Sequence, residues 1–209
     1  MTTADGPTDV ELLIAWREGD RKAGDRLFER HYRHLTRFFQ NKVSEPGDLI
    51  QRTFLACVEA TGRFREDGNF RSYLLGIAIN VLREHYRKVS DPRRHHQLGE
   101  MSVESLGQSP SDAMVQNHEE RLLLFGLRKL PAELQLVLEL YYWEKMKIQE
   151  LAKILELPEG TVKDRLRRGR KKLKDEMAIL EASDQPLKET LTRLDQWAER
   201  LRMDMLKGR

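Results

Sequence analysis

The chain has 209 residues, of which 34% are charged, 39% hydrophobic and 7% aromatic, enough for one or two compact domains with small cores. Net charge is only +3 with a pI near 9.0, so the protein is not uniformly basic, and a contact with a polyanion must come from local clustering of Lys and Arg. The polar, acidic start MTTADGPTDVE does not read as a signal peptide, no apolar run approaches the roughly 20 residues that span a bilayer, and the single cysteine, Cys57, cannot form an internal disulfide; a cytoplasmic protein is expected.

Almost every periodic segment has the helical period, and no alternating strand stands out, so the expected fold class is all-α. Leu12, Leu13 and Trp16 begin a first helical pattern, Gly19-Asp20 breaks it, and Leu27, Phe28, Leu35, Phe38 and Phe39 mark a second. Pro46-Gly47 punctuates the chain, and Asp48 sits where an N-cap belongs before LIQRTFLACVEATGRF. Cys57 reads there as a small core residue. The polar loop from Arg65 to Asn69 leads into FRSYLLGIAINVLREHYRK, with Phe70, Leu74, Ile77, Ala78, Val81 and Leu82 as a buried stripe. Gly76, Asn80, Arg83 and Arg87 line another, polar and basic face.

Residues 91–115 are rich in Ser, Pro, Gly, His and Gln with little periodicity, which suits a flexible linker between domains at 9–90 and 116–180. Helicity resumes through RLLLFGLRKL, and Pro131 opens AELQLVLELYYWEKM. Next comes IQELAKILELPEGTVKDRLRRGRKKLK, residues 148–174. Its first half puts Ile148, Leu151, Ala152 and Leu155 on one face; Leu157-Pro158 breaks that helix, and proline suits the first turn of the next. In the second half Val162, Leu166 and Leu173 face inward, with Gly169 allowing close approach. The other faces carry Lys163, Arg165, Arg167, Arg168, Arg170, Lys171, Lys172 and Lys174 against a lone Asp164. Ala152 with Val162 ten residues later fits a helix-turn-helix, whose basic second helix suits the DNA major groove. A solvated charged helix is the plainer alternative, but the break, the small-residue spacing and the single charge sign together favour DNA. Glu156 occupies the turn position where such units often have Gly.

A last amphipathic segment in 181–209 places Leu187, Leu191, Leu194, Ala198, Leu201 and Met205 on one stripe. A lone helix of that length must bury its stripe to persist, and packing within the chain is favoured over a partner. His31 with His34, and His95 with His96, lack the cluster of three or four ligands that zinc needs, so solvated histidines are expected and no metal. No Gly-rich phosphate loop, Ser/His/Asp pattern or H-E-x-x-H is present; neither a cofactor nor an enzyme is indicated.

Two helical segments in this order around a linker carry a resemblance. DLIQRTFLACVEATGRFREDGNFRSYLLGIAINVLREHYRK, from Asp48 to Lys88, looks like the second conserved domain of the bacterial extracytoplasmic-function (ECF) sigma factors. LPAELQLVLELYYWEKMKIQELAKILELPEGTVKDRLRRGRKKL, from Leu130 to Leu173, looks like the fourth. The resemblance covers about residues 9–180 and implies an alternative sigma factor of the sigma-70 family, which binds core RNA polymerase and directs promoter recognition and transcription initiation.

It also implies site residues. Asp48, Leu49, Gln51 and Phe54 match the D-L-x-Q-x-x-F helix that binds the β′ clamp helices, with Arg52 where an acidic residue is common. Asn69, Phe70, Tyr73 and Asn80 match positions that stack on or bond bases at the −10 element, and Arg83, Arg87 and Lys88 those that follow the phosphates; core packing is the alternative for Phe70 and Tyr73. Thr161, Lys163, Arg165, Arg168 and Lys172 fall on the helix that meets the −35 element, with Asp164 where the family often has Ser. Implied partners are the β′ clamp helices and β flap of core polymerase, promoter DNA and an anti-sigma factor. The alternatives are a helix-turn-helix DNA-binding regulator that is not a polymerase subunit, which would not need the 48–88 segment, and a helical adaptor, which would not need the basic helix.

Overall fold

The computed structural model describes residues 6–60, 64, 69–89, 102–103 and 118–181. Among them run eight helices: α1 (Asp9–Arg17), α2 (Arg21–Gln40), α3 (Pro46–Glu59), α4 (Phe70–Val89), α5 (His118–Lys129), α6 (Ala132–Tyr142), α7 (Ile148–Leu155) and α8 (Glu159–Glu181). The one departure from all-α structure among the described residues is an isolated bridge between Ser102 and Pro131. Apart from Ser102 and Val103, the expected linker at 91–115 lies outside the described residues, and so does the amphipathic segment at 187–206. The chain clusters into two compact units, Met1–Phe39 with Glu45–Leu82, and Gln40–Ser44 with Arg83–Arg209. The division runs through α4.

In the first unit, Thr8 caps α1 through a capping box: its Oγ1 accepts from the Glu11 N–H while Glu11 Oε2 accepts from the Thr8 N–H. Gly19 takes φ +104, the left-handed turn that glycine adopts without strain. The carboxylate of Asp20 then accepts from the N–H groups of Lys22 and Ala23 at the head of α2. Helix α2 buries Ala23, Leu27, His31 and Leu35 at steps of four, with Phe38 and Phe39 at its end. At Gly24 a Cβ would stand 2.7 Å from Cδ1 of Trp16, whose ring in turn meets Phe28 edge-on at 5.0 Å. Helix α3 starts at Pro46, not after Asp48. Proline's fixed φ and missing N–H suit the first helical position, so Asp48 falls inside the first turn, where the helix dipole favours an acid. Leu49, Ile50, Thr53 and Cys57 face inward, and burial pushes the Cys57 thiol up to about 12, an inert core group.

Helix α4 is buried on more faces than its expected stripe. Leu75, Ile79 and Tyr86 are buried alongside Phe70, Leu74, Ala78, Val81 and Leu82, while Ile77 is only half-buried. The histidines of α2 also depart from expectation. His31 is 4% exposed with Nε2 2.8 Å from Asp9 Oδ2, and His34 is half-buried, its pKa lowered to about 4 by burial and by the neighbouring Arg71. They are packed structural residues and not solvated ones. His95 and His96 lie outside the described residues.

In the second unit α6 is apolar almost all round and buries Leu134, Leu136, Val137, Leu138 and Leu140. Against it α8 lays Val162, Leu166, Leu173 and Met177, all buried. A Cβ on Gly169 would stand 3.1 Å from the Leu138 side chain, the close approach that its place between Val162 and Leu173 suggested. Helix α7 ends in a Schellman motif: the Leu157 N–H reaches the Ala152 carbonyl at 2.9 Å and the Glu156 N–H reaches that of Lys153 at 3.4 Å. Glu156 accordingly sits at φ 57, ψ 45, a conformation easy for glycine and strained for glutamate.

Two stability outcomes follow. Gly24→Ala should lower stability by about 1–2 kcal/mol, because overpacking against the Trp16 ring outweighs the helix propensity gained; a denaturant titration showing equal or higher stability would remove Trp16 as the constraint. Glu156→Gly should raise stability by about 1 kcal/mol by relieving the left-handed residue, read as a higher melting midpoint with unchanged helicity.

Candidate polymerase and nucleic-acid interfaces

Helix α3 turns a mixed strip outward. Asp48 and Gln51 are exposed, and one and two turns further on Leu55 and Val58 stand 53% and 41% exposed, an unusual share for aliphatic side chains. Leu49, expected on the contact face, is 1% exposed and belongs to the core, because one step in a helix rotates it away from Asp48. Phe54 is half-buried at the edge. Its ring lies 4.4 Å from Phe28 and 6.5 Å from Tyr32, which stacks almost parallel and is 52% exposed. Leu55 and Val58 of α3 and Tyr32 of α2 were not legible as surface residues, because only packing decides which side of each helix stays outside.

The expected single-strand contacts on α4 divide in two. Phe70 is 2% exposed, its ring 5.8 Å from Phe64 and 5.1 Å from His31, so it is a core residue and presents no free face to a base. Tyr73 is half-buried and donates from its hydroxyl to the Ala60 carbonyl at 2.8 Å. Asn69 is exposed, with Oδ1 accepting from the Ser72 N–H as a helix cap does, and Asn80, Arg87 and Lys88 are exposed. Lys88 pairs with Glu84 at 2.8 Å on the open surface. Arg83 is half-buried and bonds Glu133. Residues 65–68 of the expected loop lie outside the described residues.

On α8 the basic residues are not equivalent. Arg165 turns to α6 and donates to Glu133 at 2.7 Å. Arg170 meets the other end of α6, where it donates to the Tyr142 hydroxyl at 2.8 Å and lies over the rings of Tyr141 and Tyr142. The outward face carries Asp164, Arg167, Arg168 and Lys171, with Lys163 and Lys172 at its flanks and Thr161, half-buried, in the first turn. Asp164 Oδ1 accepts from Arg167 at 2.8 Å, and its Oδ2 lies 3.8 Å from Arg168. The arginine side chains are 72% and 62% exposed. Arg167, one of the basic residues of this helix but not among those expected at the −35 element, stands on the same outward face. Its angular position opposite Val162 and Leu173 was the available signal.

Comparisons with known proteins identify the family. Residues 27–91 match the family model described as Sigma-70 region 2, and residues 121–173 match that of Sigma-70, region 4. The ECF RNA polymerase sigma factor SigM of Mycobacterium tuberculosis is 30% identical over 79% of this chain and 83% of its own. The RNA polymerase sigma-H factor of Pseudomonas aeruginosa is 28% identical over 78% and 90%. Among solved structures, CnrH in complex with the cytosolic domain of CnrY aligns with a TM-score of 0.59 at 24% identity, covering 85% of this chain and 99% of that one. The sigma factor RpoE of Bartonella quintana, in complex with the anti-sigma factor NepR, aligns at 0.58 and 20%, covering 74% and 96%, so the fold is shared. With both regions in order and a relative of this identity along most of its length, the chain belongs to the ECF sigma factors of the sigma-70 family.

Proposed function

We propose that this sigma factor recruits core RNA polymerase through the outward strip of α3 and reads promoter DNA with the outward faces of α4 and α8. The observation that carries the assignment is the face of α8, where Arg167, Arg168 and Lys171 stand outward beside a fully apolar inner stripe. A helix so divided enters a major groove with cations forward, the arginines suited to guanine edges and the lysines to phosphates. Asn80, Arg87 and Lys88 serve the −10 element on the same reasoning, with Asn69 at the head of α4. Phe70 and Tyr73 support that face from beneath and do not stack on bases. Asp48 and Gln51 bond the polymerase clamp helices, while Tyr32, Leu55 and Val58 add an apolar contact of the kind that anchors protein interfaces. That strip also suits an anti-sigma protein competing with polymerase. A DNA-binding regulator without polymerase has no use for it. The work is binding, not catalysis, and takes place where the polymerase is, in the cytoplasm.

The deciding experiment is run-off transcription from genomic fragments by core polymerase with and without the protein; transcripts that do not depend on its addition would end the sigma assignment. Replacing Asp48 and Gln51 together by Ala should weaken binding to core polymerase about tenfold or more with helicity unchanged, since both are exposed. Unchanged affinity in a titration would remove α3 from the interface. At a promoter so identified, Arg168→Ala should cost about 1–3 kcal/mol and relax preference at one or two base pairs, whereas Lys172→Ala should weaken all sequences alike and flatten the salt dependence. Equal losses without a change in preference would place both residues on the phosphates.

A further inference from the structure

Helix α2 carries a cation at every turn of one line. Lys22, Arg26, Arg30, Arg33 and Arg37 follow at steps of four, four, three and four, which keeps them within roughly 80° of the helix surface at about 3.6 residues per turn. All are exposed except Arg37, which is half-buried. Arg71, in the first turn of α4, joins this line from the side. Burial and then the charges of Arg71 and Arg37 push the His34 pKa down to about 4, and those of Arg30 and Arg71 add to the effect of burial on His31. The Phe70 ring, 5.1 Å from that of His31, sets the head of α4 against the middle of α2. The helix has two acids, Asp25 and Glu29, and their angular positions fall between the cation line and Tyr32. From α1, Asp9 pairs with Arg30 at 2.7 Å and with His31 at 2.8 Å.

Solvating one side of a helix needs no such density of a single sign, and crowded like charges repel. The residue type is selective too. Four of the five cations on the line are arginines, as is Arg71. Arginine presents planar, forked donors that match phosphate oxygens and can lie against a base, where lysine offers a point charge. The line from Lys22 to Arg37 is about 22 Å long at roughly 1.5 Å per residue, room for about six phosphates at roughly 3.4 Å per stacked nucleotide. Its place decides the partner. One end of α4, with the exposed Asn69 as its cap, lies beside the line, and the exposed Arg87 and Lys88 are at the other end of that helix. Tyr32, on the apolar strip given to polymerase, is roughly a third of the way round α2 from the middle of the line. Engagement of α3 therefore leaves the arginines open.

We propose that the cation line of α2, together with Arg71, is a track for the phosphates of unpaired promoter DNA, carrying the strand onward past Asn69 on the side away from Arg87 and Lys88. The proposal rests on the −10 role given to α4 under Proposed function and adds a second helix to it. A strand held by its bases at α4 would otherwise be free to re-pair on that side. Arginines on its phosphates hold it apart without regard to sequence, as suits a segment that is opened but not read.

The test uses holoenzyme assembled from core polymerase and the full-length chain. Two labelled single-stranded oligonucleotides from a promoter found by run-off transcription are compared, one with the −10 element alone and one with about six further nucleotides on each side. Arg26→Ala with Arg33→Ala, confirmed folded by thermal melting, should bind the short strand as the parent does and the long strand about three- to tenfold more weakly. The salt dependence on the long strand should flatten by about 1.4 in log–log slope for two lost phosphate contacts. Arg26→Lys with Arg33→Lys should keep that slope. Arg21→Ala with Lys153→Ala, which removes two exposed cations away from the line, should change neither strand's binding. An equal loss from this control, or an equal loss on both strands, would overturn the track as a general charge effect. Lost affinity for core polymerase would overturn it in favour of a protein contact. Unchanged binding of the long strand, with Asn80→Ala still weakening the short one, would overturn the track and leave the −10 reading of α4 standing. If Asn80→Ala is harmless to the short strand, that reading fails in its own right, and the track falls with it for want of a strand to continue.

Discussion

What the second unit can offer a nucleic acid follows from how α8 buries its one apolar stripe on α6. Val162, Leu166, Leu173 and Met177 are all below 4% exposed, and each such side chain contributes about 1.5–3 kcal/mol on leaving water. The stripe meets its partner only because Gly169 lets the Leu138 side chain come within touching distance of the α8 backbone. Once those positions are fixed inward, the helical period leaves no choice for the rest. Asp164, Arg167, Arg168 and Lys171 must point out, while Arg165 and Arg170 fall on the flanks, where α6 supplies Glu133 and Tyr142. Packing sorts the cations into outward and flanking sets before any DNA arrives.

The same α6 that receives α8 carries Glu139, which pairs with Lys42, while Arg128 of α5 bonds the neighbouring Asn41. Buried charges of this kind add little net stability, because desolvation offsets most of the attraction, but they penalise any arrangement in which one partner is missing. An apolar contact tolerates sliding. A network of Lys42, Glu139, Gln135, Asn41 and Arg128 accepts one geometry or none.

Much of this was legible in the sequence because helix periodicity is a local signal. The breaks at Gly19-Asp20 and Leu157-Pro158, the inner stripe of α8 and the role of Gly169 were all readable from spacing alone. The left-handed Glu156 was legible as well, since the turn demanded a residue that glycine would satisfy more easily. Where the reading failed, the deciding partner lay far along the chain or the choice lay between two apolar faces. Asp48 looked like a cap because an acid precedes an apolar run, yet Pro46 competes for the start of α3 and its fixed φ wins. Leu49 and Leu55 are the same residue type on one helix, and only the packing of the first unit puts one at 1% and the other at 53% exposure. Phe70 matched a base-stacking position, but Phe64 and His31 close around it. His31 could not be paired with Asp9 from sequence, because the bond joins the start of α1 to the middle of α2.

Charge shows the same limit more sharply. Between residues 163 and 174 the sequence has eight cations and one acid, which reads as a uniformly basic helix. In the fold Arg165 is held by Glu133, Arg170 by Tyr142, and Arg167 and Arg168 flank Asp164, while Lys163, Lys171, Lys172 and Lys174 are exposed. The lysines are flexible point charges that follow a phosphate backbone of any sequence. The arginines at 167 and 168 carry planar groups, and both lie within ion-pair distance of the Asp164 carboxylate. Asp164 offsets part of the positive charge of the helix and restricts the two side chains paired with it. The charge of α8 is thus divided into two arginines paired with a carboxylate and a set of exposed lysines around them, although the sequence presents one unbroken basic run.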